Sequence, residues 1–135
     1  MLALRSYLIL LMLLAACVAT DDVNIVVSGI EVTDDVRGKV ETLLRINAFR
    51  EIRYEPNVYH DGQRKHFVND DYLNVFVQDL NQQSLNIKFI VAGRGNFSDP
   101  QIKVIRSLLI VLRKNIGSQN VISDTHTKSG QKLER

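Results

Sequence analysis

The chain has no tryptophan, one cysteine, two prolines, four tyrosines and five phenylalanines, and its formal net charge is only +2. Scarce aromatics and a nearly balanced charge argue against a nucleic-acid surface, which is strongly basic over one face and interleaved with exposed rings. A single cysteine excludes a disulfide framework, because bridges need pairs. The uncharged stretch from Ser6 to Thr20 falls short of the roughly 20 apolar residues that cross about 30 Å of hydrocarbon. There is also no arrangement of nucleophile, base and orienting group. His60 with Asp61, and His66 with Asp70 and Asp71, come nearest to a metal or acid-base site, but their spacing matches no metal motif. Gly93-Arg94-Gly95-Asn96 lacks both the dinucleotide fingerprint and the lysine-hydroxyl pair of a phosphate loop, and reads as a strand-to-helix connection. These absences predict a protein that is not an enzyme, holds no metal or cofactor and does not bind nucleic acid.

What is present begins with a leader. Arg5 precedes an uncharged core, Leu8 to Ala16 (LILLMLLAA), which runs into small residues and stops at Asp21-Asp22. This is the plan of a secretory signal peptide. Leu14-Ala15-Ala16-Cys17 resembles the lipobox of bacterial lipoproteins. The resemblance implies diacylglyceryl attachment to the Cys17 thiol, cleavage before it and acylation of the new amino terminus. Several buried acyl chains would hold the protein at a membrane, each methylene contributing about 0.8 kcal/mol. An ordinary leader cleaved after Ala19 and an uncleaved anchor are the alternatives. Val18 in place of an aspartate after the cysteine resembles the outer-membrane address of enteric lipoproteins, which would face the protein towards the periplasm.

With 135 residues, 45% of them hydrophobic, the chain fits one compact domain. Asn24 to Val32 reads as a strand with a bulge at Gly29. Thr33-Asp34-Asp35 caps a helix to about Asn47, with Val36, Val40, Leu43 and Leu44 on one stripe. Ile52, Tyr54 and Val58 mark a second strand, which Pro56 places at an edge or gives a bulge. His60 to Asp71 reads as a loop or as a hairpin tip turning at Asp61-Gly62. Tyr72 to Asp79 and Leu85 to Ala92 form a hairpin with one apolar face and leave Tyr72, Phe76 and Ile90 on the other. Ser98-Asp99-Pro100-Gln101 opens a second helix that ends near Gly117. The predicted fold class is α+β, a two-layer sandwich. It has an antiparallel or mixed sheet of about four strands, two helices on one face and the order β-α-β-β-β-α. The expected boundaries are 1–16 for the signal peptide, 17–23 for the lipidated cysteine and linker, 24–117 for the domain and 118–135 for a polar, disordered tail.

The charge is unevenly placed. Residues 17 to 79 carry 7 Lys and Arg against 12 Asp and Glu, whereas residues 80 to 135 carry 9 against 3. On the second helix Lys103, Arg106, Arg113 and Lys114 share about a third of the circumference with Ile110 among them, opposite the core stripe. No acidic residue occurs between Pro100 and Ser123 to supply the helical partners of a neutralised face. These five residues are the predicted binding surface, and a solvated helix face is the alternative. The order of elements, with GIEVTDDV before the first helix and YEP in the following strand, faintly resembles the CsgE-type curli-assembly accessory family. That resemblance implies an accessory or adaptor factor of a surface-assembly or secretion system. The expected partners are a membrane through the lipid anchor and an envelope protein complex. The basic helix offers a second reading, a module for anionic lipid or lipopolysaccharide.

Overall fold

The computed structural model describes residues 20–53, 64–91 and 95–133. Its centre is the hairpin with the strongest apolar alternation, β4 (Leu73–Asn81) and β5 (Ser84–Val91). In register, Val75 lies opposite Phe89 and Val77 opposite Ile87, and all four side chains are buried. Gln82 and Gln83 make the turn, where Asn81 Oδ1 accepts the Gln83 amide at 2.8 Å. β1 (Asp22–Ser28) pairs antiparallel with the other side of β5 and buries Val23, Ile25 and Val27. The strand ends at Ser28 because Gly29, at φ +74°, takes a conformation that a side chain disfavours. A Cβ there would also meet Asn120 Oδ1 at 3.2 Å.

The two helices close the inward face of this sheet. α1 (Asp34–Ile46) starts at Thr33, whose Oγ1 accepts the Val36 amide, and buries Val40 and Leu44. Its Arg37 donates Nε to both carboxylate oxygens of Asp79, at 3.0 and 2.9 Å. That hydrogen bonding holds the guanidinium pKa above its ordinary value. α2 (Asp99–Ile116) starts with a capping box, in which Ser98 Oγ accepts from the Gln101 amide and Gln101 Oε1 accepts from the Ser98 amide. Ile102, Ile105, Leu108, Leu109 and Leu112 of α2 join the inward residues of the strands in one core cluster. Burying each such side chain contributes about 1.5–3 kcal/mol. Gly38, exposed in the middle of α1 with nothing within 4 Å of its missing Cβ, is a weak point. Gly38→Ala is expected to raise the unfolding free energy by about 1 kcal/mol, measured by urea titration.

The fold is α+β with two helices and an antiparallel sheet, but the described sheet has six strands rather than about four. Its order is β2-β3-β4-β5-β1-β6. β2 (Arg50–Ile52) lies at an edge, as expected. β3 (Arg64–Val68) occupies part of the stretch read as a loop or a hairpin tip, and it pairs antiparallel with β2 and β4 while burying Phe67. Cys17 and the leader, Tyr54, Pro56, Val58, His60, Asp61 and Gly62 lie outside the described residues.

The expected disordered tail is the larger correction. After α2 a 3-10 turn (Ser118–Asn120) leads into β6 (Val121–Ser123), which pairs with β1. Val121 and Leu133 are buried. The polar composition that suggested disorder is satisfied internally. Thr127 Oγ1 accepts the Gln131 amide at 3.0 Å, and Asp21 accepts from the Ser129 amide and hydroxyl at 2.9 and 2.6 Å. The domain therefore extends beyond 24–117 in both directions, from buried Asp21 to Leu133. Among the described residues no helix is long and apolar enough to cross a membrane.

Candidate functional site

α2 and a C-terminal strap, residues 124–133, enclose a groove of about 1000 Å³. The capping box fixes where α2 begins, and its buried stripe fixes its rotation. Lys103, Arg106, Ile110 and Arg113 consequently line the groove, with Leu109 and Leu133 also in its wall. Of the predicted surface, only Lys114 is outside it. Lys132 of the strap is a fourth cation, whereas Asp99 is the single carboxylate among the described lining residues. Ile110 is 66% exposed, so the cations surround an apolar patch.

The strap is tied down at several points. Arg106 donates Nε to the Leu133 carbonyl at 2.9 Å and Nη2 to the Lys132 carbonyl at 2.6 Å. Gln131 Nε2 donates to the Phe97 carbonyl at 2.9 Å, and Leu133 packs into the core. Arg106 is thus half-buried and builds the groove, which corrects its predicted place on a free solvent face. Reversing it would not spare the fold, because the helical wheel ignores what packs on the far side of a helix.

Several of the groove's cations differ from those of α1 in having no ion-pair partner among the described residues. On α1, Arg37 pairs with Asp34 and Asp79, Lys39 with Asp35, and Arg45 with Glu41 and Glu51. Among the described residues, Lys103, Arg106 and Lys132 enter no ion pair. Lys103 and Lys132 are exposed. Because two low-dielectric walls flank these like charges, their combined field on an anion exceeds that of scattered surface lysines. The geometry can hold an anionic group against an apolar patch, and it includes no nucleophile placed beside a base.

Sequence reasoning missed Gln131, Lys132 and Leu133 because it treated the tail as disordered. The usable signals were Val121-Ile122, β-branched residues beyond a helix-ending glycine, and Leu133 after the Ser129-Gly130 turn. The second predicted patch lies on the open side of the sheet. Tyr72 is 71% exposed, while Phe76 stacks on His66 with 4.3 Å between centroids and carries the Arg64 guanidinium at 3.8 Å. His66 Nε2 lies 2.7 Å from Asn74 Oδ1, whereas Asp70 pairs with Arg50. His66, Asp70 and Asp71 are therefore not gathered into one site, and among the described residues no cluster of three His, Cys, Asp or Glu could hold a metal ion. No family model, no curated protein and no solved structure matches this chain.

Proposed function

We propose that this chain is a non-enzymatic accessory lipoprotein of the bacterial cell envelope, anchored through Cys17, whose working surface is the groove between α2 and the strap. The observation that carries the reading is that exposed Ile110 sits in a groove with Lys103, Arg106 and Lys132, which enter no ion pair among the described residues. The lipobox-like LLAAC supplies the setting, an outer membrane with the domain facing the periplasm. The role is that of an accessory factor for a surface-assembly or secretion system, with the groove recognising an anionic group. A protein adaptor acting through the sheet is the second reading. It is favoured by the open face that bears Tyr72, Phe76 and Ile90 beside the Arg64 guanidinium.

Cross-linked envelopes test which surface works. Lys103→Glu with Lys132→Glu alters two exposed side chains and leaves the Arg106 clamp in place. The double variant is expected to fold normally and to recover several-fold less cross-linked partner, protein or glycolipid. Recovery by the wild type should also fall as salt rises, since the Debye length shrinks from about 10 Å at 0.1 M to about 3 Å at 1 M. Full recovery by the folded double variant would make the groove a solvated face and shift attention to the sheet.

A further inference from the structure

The groove has a fixed position relative to the start of the domain. Asp21 is 2% exposed, and its carboxylate accepts from Ser129 of the strap and from the Phe97 amide before α2. Phe97 is in turn held by groove-lining Gln131, and the Lys128 amide donates to the Asp22 carbonyl. The chain therefore leaves the domain towards Cys17 beside the strap and the first turn of α2. Only Val18, Ala19 and Thr20 separate Cys17 from Asp21, so those two Cα atoms lie within about 14 Å of each other when fully extended.

Lysines gather at the tether end of the domain. Lys103, Lys128 and Lys132 belong to the elements at the tether end. The acidic first turn of α1, Asp34-Asp35, belongs to the other end, where the Val32 amide donates to Gln82 of the β4-β5 turn. β1 runs between these ends over 7 residues, a span of about 23 Å. A short tether would thus bring these lysines towards a bilayer surface.

We infer that the groove docks on the phosphate headgroups of the same membrane that holds the anchor. This rests on the acylated Cys17 of the proposed function. Lys103 and Lys132 meet the phosphates, with exposed Ile110 beside them in the groove. An acidic segment of a protein would satisfy the same cations, but it would not use the short tether.

The test uses the full lipidated chain in vesicles of phosphatidylethanolamine with phosphatidylglycerol, some carrying a headgroup-linked quencher. A fluorophore is placed at Ser107→Cys, in the groove, or at Gln83→Cys, in the exposed far turn. Acylation consumes the Cys17 thiol, so one label per chain is expected. Quenching should be several-fold stronger at position 107 than at 83. The difference should collapse in 1 M salt or when Lys103→Glu and Lys132→Glu are added. Equal quenching on chains that float with the vesicles overturns the docking while leaving the anchor intact, and salt-sensitive capture of an acidic protein by those chains would assign the groove to that partner. Two labels per chain with no flotation overturns the anchor, and the docking with it.

Discussion

Phe89→Ala is expected to lower the unfolding free energy by about 3–5 kcal/mol. Phe89 is fully buried on β5, between Val75 of β4 and Val23 of β1 in the register, and belongs to the core that the helices cover. Its loss removes the transfer energy of a ring and leaves a cavity that paired strands on both sides cannot close. A domain of this size is stable by about 5–15 kcal/mol, so the change removes a large share. Leu108→Ala, on the facing side of the core, is expected to cost about 2–5 kcal/mol. His66→Ala should cost less, because its ring stacks on Phe76 on the open face and such pairs contribute about 0.5–1.5 kcal/mol. Urea titration with an unchanged slope checks the series. A loss below 1 kcal/mol in Phe89→Ala would contradict the core.

Arg106→Glu is expected to release the strap. The two hydrogen bonds from the guanidinium to the Leu133 and Lys132 carbonyls are charge-assisted, each contributing about 1.5–3 kcal/mol. A carboxylate in their place sets acceptor against acceptor and weakens the seat of buried Leu133. Roughly 3 kcal/mol or more of local stability should be lost, and trypsin should cut rapidly after exposed Lys128. Lys103→Glu, whose side chain enters no ion pair or hydrogen bond among the described residues, should leave that site protected. Equal protection in both variants would mean that Arg106 does not hold the strap.

The parts of the fold that were legible in the sequence are those whose side chains follow one period. The β4-β5 hairpin alternates cleanly, and both helices carry a buried stripe behind a recognisable cap, so their placement follows from local pattern. β6 escaped notice because it is short and set in a polar stretch, and β3 was legible only through the hairpin alternative; non-local pairing makes both of them strands. β6 owes its place to Val27 opposite Val121 across most of the chain's length. The groove was half legible. Lys103, Arg106, Ile110, Arg113 and Lys114 could be collected by helical geometry, and four of the five line it. The strap that makes a face into a groove, and that binds Arg106 in a structural role, depends on hydrogen bonds between Asp21 and Ser129, 108 residues apart. No local periodicity encodes such a contact.

The proposed tether, groove orientation and envelope setting all depend on Cys17, the one thiol of the chain. Cells expressing the wild-type chain should incorporate labelled palmitate into it and hold it in the membrane fraction. Cys17→Ser should remove both properties, because the leader offers no second residue that resembles the lipid acceptor. The measurement is the label recovered in the purified chain, with intact mass giving its amino terminus. The expected result is an acylated chain beginning at Cys17 and an unlabelled, unprocessed or soluble Cys17→Ser variant. A Cys17→Ser chain that still carries palmitate, or a wild-type chain that begins after Cys17 without any lipid, would contradict it.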